Sequence, residues 1–252
     1  MSLVLTALEF DVLWESLELG TRPAALAVPS PGRTHTERAE LIDSVWDSLA
    51  QRRLARGRRP SGTVLDQLHL LASPREAVDV WVWADREIHG RAVSRGSQAV
   101  LAVVEREEVW LIPADAGALA DAVVPVAGAL DAGVGQSISV PHDTLVNADL
   151  AAAGDPKSLV TALEDRGVAL WEAQELAGML MGQEARGQFC AERVLRDGTV
   201  RRSPQVAGFY DTDSGRYLFQ LTEDADGHAW ATVSPADNAV LMERVRELQA
   251  GI

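Results

Sequence analysis

Apolar side chains change their spacing several times along the chain, and each change of period marks an element. After a short strand predicted at Leu3-Val4-Leu5, the residues Phe10, Leu13, Trp14 and Leu17 fall at i, i+3, i+4 and i+7. That is the stripe of a helix with one buried face, which Gly20 is expected to end. Pro23, Pro29, Pro31 and Gly32 predict an extended connection. Thr34 and Glu37 have capping-box spacing ahead of Ile42, Val45, Trp46 and Leu49, and Val64, Leu65, Leu68 and Leu71 predict a further helix over 61–72. From Ala77 the period becomes two, with Val78, Val80 and Val82 on one face and Asp79, Trp81 and Trp83 on the other. Strand patterns recur near 91–94, 98–104 and 109–112 with short polar links, which predicts an antiparallel meander. It ends in Pro113-Ala114-Asp115, where Pro113 stops the strand and Asp115 is expected to cap a helix.

Residues 128–141 are rich in Gly and Ala, with a strand predicted at 137–140, and mark the seam between halves. Two helices are expected next, one opened by Asp155 and Pro156, the other carrying Leu170, Trp171, Leu176 and Leu180. Strands follow near 188–195, 199–210 with an interruption at Ser203-Pro204 between 199–202 and 206–210, 216–221 and 230–233. Asp197-Gly198 reads as a two-residue hairpin loop and 211–215 as a second turn. Pro235-Ala236-Asp237 then precedes a helix with Val240, Leu241, Val245 and Leu248 on one face. Both halves read as helix, helix, four-strand meander, Pro-Ala-Asp, helix, a self-similarity about 120 residues apart that points to internal duplication. The expected class is α+β, with halves at 1–130 and 131–252.

Composition narrows the function classes. The chain has 252 residues, 47% of them hydrophobic, and no apolar run near the ~20 residues that span a bilayer, so a soluble protein without membrane insertion is expected. The first residues lack a basic n-region and Glu9, Asp11 and Glu15 interrupt any apolar core, so export by the general route is not expected and the cytoplasm is. The single Cys190 excludes an internal disulfide framework. A net charge of -14 repels nucleic acid. The one basic cluster, Arg52, Arg53, Arg56, Arg58 and Arg59, reads either as cations at a helix C-terminus or as an interaction patch.

Signatures of chemistry are missing. His35, His69, His89, His142 and His228 show no HxxxH or HxH spacing, and there is no GxSxG elbow, phosphate-binding loop or GxGxxG after a strand. No catalytic residue, metal or cofactor is expected. Cys190 reads as a small core residue, Asp211-Thr212-Asp213 as part of a turn, and Trp14, Trp46 and Trp171 as core. Trp81 and Trp83 share their face with Asp79, and either cover a packed helix or stand ready for a partner.

Leu5-Thr6, Leu13-Trp14-Glu15, Leu19-Gly20, Arg22-Pro23 and Val28-Pro29-Ser30 resemble the N-terminus of the EspG family, cytosolic chaperones of type VII (ESX) secretion in actinobacteria. Gly187-Gln188-Phe189, Phe209-Tyr210-Asp211-Thr212, Gly215-Arg216-Tyr217 and Val233-Ser234-Pro235-Ala236-Asp237 are similar to that family's closing sheet and helix. The resemblance spans nearly the whole chain. It implies two related halves sharing a central sheet, with a helical bundle attached to the second half. It also implies a non-enzymatic protein that binds the PPE tip of a PE-PPE heterodimer, keeps that client soluble and delivers it to its secretion system. Client contact is then expected in the loop after the first long strand, mapped to Arg86, Glu87, Ile88, His89, Gly90 and Arg91, and on a sheet face at Trp81, Trp83, Arg216 and Gln220. Self-association is at most weak. The alternative is a ligand-binding protein or enzyme using a cleft between the halves.

Overall fold

The computed structural model describes residues 2–252 as a mixed α+β chain whose strands pair antiparallel around a large sheet framework. It divides into two compact units. The first holds the chain through Trp81, Glu87–Val126 and Glu192–Arg201; the second holds Val82–Arg86, Ala127–Ala191 and Arg202–Ile252.

The first unit opens with β1 (Leu3–Thr6) and α1 (Ala7–Ser16). Thr6 and Glu9 close a reciprocal capping box, and the buried Glu9 carboxylate also accepts from Ser48 Oγ at 2.8 Å and Arg52 Nη1 at 2.6 Å. Capping thereby becomes a tertiary link to α2 (His35–Gln51), which has its own box from Thr34 and Glu37. A small hairpin of β2 (Ala55–Arg56) and β3 (Arg59–Pro60) and then α3 (Gly62–Ala72) lead into β4 (Glu76–Trp83), β5 (Glu87–Arg95), β6 (Gln98–Glu105) and β7 (Glu108–Pro113), followed by α4 (Leu119–Val123). The strand order is β1-β7-β6-β5-β4. Phe10, Leu13, Trp14, Trp46, Leu49, Leu68 and Leu71 form the core with Val93, Val100, Ala102, Val109 and Leu111 from one face of this sheet. Each such side chain contributes about 1.5–3 kcal/mol by leaving water.

The second unit repeats that plan. β8 (Ile138–Pro141) precedes α5 (His142–Ala152), α6 (Pro156–Glu164) and α7 (Leu170–Leu180). Then come β9 (Gln183–Val194), whose last residues belong to the first unit, β10 (Val200–Arg202), β11 (Ala207–Thr212), β12 (Gly215–Glu223), β13 (Ala229–Pro235) and α8 (Asn238–Ala250). Its order, β8-β13-β12-β11-β9, matches the first unit strand for strand, the leading strand pairing with the last strand of the meander in both. The two Pro-Ala-Asp tripeptides occupy equivalent places. Ala114 N–H donates to the Ala99 carbonyl of β6 at 3.2 Å, and Ala236 N–H to the Arg216 carbonyl of β12 at 3.0 Å.

Their aspartates differ. Asp237 caps α8 through Val240 N–H at 3.0 Å, as expected. Asp115 caps nothing: its carboxylate accepts from Gly117 N–H at 2.8 Å, and α4 begins only after Ala118. A tight Asx turn has taken the acceptor that a cap would need. The Asp197-Gly198 loop also departs from expectation, spanning three residues closed by Leu195 N–H to Thr199 O at 2.8 Å, with Gly198 alone at positive φ (85°). Two elements were not anticipated, the β2–β3 hairpin and α5. The buried positions of α5 are Leu145, Ala148 and Ala152, and its N-cap, Pro141, supplies no side-chain acceptor, so both its stripe and its start signal are faint.

Candidate functional site

The residues expected to meet a client are dispersed by the fold. The link between β4 and β5, which belongs to the second unit, is only Ala84–Arg86, closed by Ala84 N–H to Arg86 O at 3.0 Å. Glu87, Ile88 and Arg91 therefore lie in β5, not in a loop. Glu87 is exposed, with its Oε1 3.0 Å from His89 Nε2, and Ile88 and Trp81 are half-buried. Arg91 is 6% exposed. Its Nη1 donates to both Asp79 oxygens at 2.7 Å and its Nη2 to Glu192 Oε2 at 2.6 Å. Two carboxylates hold the Arg91 guanidinium charged against the desolvation that burial imposes, and its pKa lies above the usual arginine value. This side chain links β4, β5 and the end of β9, and offers a client no free surface, which corrects its place in the expected contact set.

In the second unit, register separates the remaining candidates onto two faces. Tyr210 pairs with Arg186 on β9 and Tyr217 on β12, so these share a face with Phe219; Phe209 and Leu218 share the other with Asp211, Arg216 and Gln220. Arg216 is fully buried on that second face. Its Nε and Nη2 donate to the two Asp211 oxygens at 2.6 and 2.8 Å, its Nη2 also to Ala127 O at 2.7 Å, and its Nη1 to Gly128 O at 3.1 Å and to Asn238 Oδ1. The guanidinium stands 4.8 Å from the Phe209 ring centroid. Arg216 thus clasps residues 127–128 and the start of α8 to β12; it too is an internal strut and not a contact residue. Glycines allow the same segment to close down, since a Cβ on Gly133 would sit 2.1 Å from Tyr217 Cζ, and Gly215 (φ 115°) approaches the Gly133 backbone. Gln220 is half-buried on the α8 face, level with Thr232, which bonds Ser139 at 2.8 Å.

Trp83, in the second unit with Arg86, is half-buried. Arg186 lies 5.6 Å over the Trp83 ring, and Tyr210 meets Phe219 edge-on at 5.9 Å. Arg86 is exposed beside Asp85. Burial pushes the Tyr210 phenol above its ordinary pKa, Arg186 opposing and Asp149 of α5 adding to the shift, so α5 borders this aromatic and cationic strip. The helices α5–α7 pack on this face against Ile138, Val140, Tyr217, Ala231 and Val233, with Phe219 and Leu221 partly buried against them. Four large apolar side chains on two of these helices are exposed: Val146 and Leu150, one turn apart on α5, at 41% and 74%, and Leu170 and Trp171 at the start of α7 at 49% and 56%. Trp171 was expected in the core. It follows the N-cap Ala169 at the first turn of α7, while Ala173, Leu176, Ala177 and Met179 supply the buried stripe. Period-two and period-3.6 patterns tell which residues share a face and not whether anything covers it, so the exposure of Leu150 and Trp171 is not legible in them.

One group of metal-type donors meets among the described residues: Asp224, Asp226 and His228 on the exposed turn between β12 and β13. Asp224 Oδ1 accepts from the N–H groups of Asp226 and His228, both at 2.9 Å, and Oδ2 from Trp230 Nε1 at 3.2 Å. These bonds, the His228 amide foremost, hold its pKa below the ordinary carboxylate value, and its lone pairs are committed to the turn. Cys190 is half-buried beside Ser203. Among the described residues no helix is long and apolar enough to cross a membrane.

A model of the EspG family matches residues 6–247. No curated protein matches the sequence. Among solved structures, the chain is similar to the Mycobacterium tuberculosis type VII secretion system chaperone EspG5 in its complex with the PE25-PPE41 dimer. The TM-score is 0.78 at 15% identity, covering 100% of this chain and 97% of that one.

Proposed function

The chain belongs to the EspG family, and from that premise we propose that it is a cytosolic chaperone of type VII secretion that binds a helical PE-PPE heterodimer at the PPE tip. The observation that carries this reading is the set of exposed apolar side chains on α5 and α7, Leu150 and Trp171 foremost, on helices that pack against the Tyr217 and Phe219 face of the second unit's sheet. A helical client tip with apolar side chains is the complement of such a surface. Burial of those residues supplies affinity, the aromatic groups act as anchors, and Arg186, Arg86 and Asp149 at the rim select the partner. The protein masks surface and makes or breaks no covalent bond. Of the other expected contacts, Trp81, Glu87 and Ile88 belong to the first unit and Gln220 to the opposite face of the second unit's sheet, so none is counted in this surface; Arg91 and Arg216 act through the architecture they hold.

Co-expression with the PE-PPE pairs of the same genome tests this. A complex of one chaperone, one PE and one PPE subunit is expected with at least one pair. The double variant Leu150→Ser/Trp171→Ala is expected to fold normally and to lose about 30-fold or more in affinity, the scale of a hot-spot loss. Failure to bind every pair, or unaltered binding by that variant, overturns the reading.

A further inference from the structure

The arginine cluster at 52–59 is not a frayed helix end. Leu54 N–H donates to Leu49 O at 2.8 Å, Ser61 N–H to Leu54 O at 2.7 Å, and Leu54 and Ala55 pack against the first unit's core. On this base stands the β2–β3 hairpin, paired Ala55 to Pro60 and Arg56 to Arg59 around Gly57-Arg58, with Gly57 at φ 56° in the first loop position. Two of its five arginines have structural work. Arg52 bonds Glu9 and the Val4 carbonyl at the outer strand β1, and Arg58 pairs with Asp43.

Arg53, Arg56 and Arg59 are exposed and are paired with no carboxylate among the described residues. Arg56 and Arg59 face each other directly across the hairpin, an arrangement in which like charges repel. Arg53 adds a third positive charge on a left-handed backbone (φ 60°). The protein thus concentrates guanidinium groups that lack a paired carboxylate at and just before a short hairpin, against its own local stability. Elsewhere the charge has the opposite sign: setting aside these five arginines leaves 18 basic side chains against 37 acidic ones.

We propose that this hairpin is a docking site for an acidic peptide segment of a protein partner, separate from the apolar client surface. Guanidinium groups on register-paired residues stand close enough to be bridged by neighbouring carboxylates, each able to take a two-pronged hydrogen bond. The partner's charge relieves the Arg56–Arg59 repulsion. Its extent is limited by the rest of the molecule: an extended polyanion such as a duplex or a charged bilayer meets the acidic remainder beyond the ~8 Å screening length, whereas a short acidic segment stays within the reach of the hairpin.

The test uses the full chain and fluorescein-labelled hexaglutamate, read by fluorescence anisotropy at low salt, with hexaglutamine as the neutral comparison. Saturable binding of hexaglutamate alone, weakening as salt rises, is expected. Arg53→Glu/Arg56→Glu/Arg59→Glu should reduce affinity about tenfold or more, while Arg196→Glu/Arg201→Glu on the β9–β10 hairpin leaves it unchanged. Arg56→Gln separates binding from folding: it should weaken hexaglutamate binding while holding or raising the melting temperature, because it removes one of the facing charges. Equal binding by the triple variant overturns the proposal. So does hairpin-dependent binding to phosphatidylglycerol vesicles, or hairpin-dependent self-association in sedimentation, in the absence of hexaglutamate binding.

Discussion

Arg216→Ala is the perturbation that most directly probes the second unit. The native guanidinium satisfies both Asp211 oxygens, the carbonyls of Ala127 and Gly128 and the Asn238 side chain, and it stacks on Phe209. Truncation leaves the Asp211 carboxylate, whose side chain is 14% exposed, without its counter-charge, strands two backbone carbonyls and opens a void under Phe209. Breaking a buried ion pair from one side costs about 3–5 kcal/mol; the residual exposure of Asp211 argues for the lower end, about 3 kcal/mol. For a chain of this length that corresponds to a fall in Tm of roughly 6–12 °C. Asp211→Ala alone should cost at least as much, because the orphaned charge is then the fully buried one.

The double variant is the decisive arm. With both charges gone neither is left unpaired, so its loss should fall short of the summed single losses by about 1–3 kcal/mol. Urea denaturation followed by tryptophan fluorescence gives the three stabilities. Hydrogen exchange over residues 127–136 gives the local effect, since Gly133 N–H bonds Arg216 O at 2.9 Å and Arg216 N–H bonds Asp131 O at 3.0 Å in the same clasp. A loss below about 1 kcal/mol in Arg216→Ala, or additive single losses, would refute the assignment of Arg216 as the strut of this unit.

Two tryptophans predicted alike from their helical stripes should behave differently. Trp46→Ala, in the first unit's core, should cost about 3–5 kcal/mol of stability, whereas Trp171→Ala should change it by less than about 0.5 kcal/mol, measured by the same denaturation. The protein's two tyrosines, Tyr210 and Tyr217, both have phenol pKa values raised chiefly by burial. A raised folded pKa favours the neutral form, so the stability it contributes is complete below the unfolded value of about 10 and is lost as pH rises through the folded value. Alkaline absorbance titration should show both ionising later than free tyrosine, and urea stability should decline above pH about 10; titration of either at the free value would contradict this geometry.

Much of the fold was legible in local patterns because the determinants are local. Thr34 with Glu37, and Asp155 and Asp237, satisfy amides within three residues, and the alternation from Glu76 to Pro113 needs only strands to pair in sequence. Asp115 failed as a cap because an equally local turn competed for the same carboxylate. The candidate site was far less legible. Arg91 and Arg216 look like surface residues in the sequence, and only their partners at Glu192 and at Ala127, Gly128 and Asn238, distant along the chain, make them interior.

The sequence by itself determined the element types, the repeated order ending in Pro-Ala-Asp and the family, since each rests on residues near one another or on a pattern carried along the whole chain. Tertiary structure decided which faces are covered. A period of two places Tyr210 with Arg186 and Phe219 through strand register, and a period of 3.6 places Val146 above Leu150, but neither reveals that α5 leaves Leu150 exposed or that α7 turns Trp171 outward. Burial is a property of what packs on a surface, and packing partners are set by contacts between segments that no local pattern encodes.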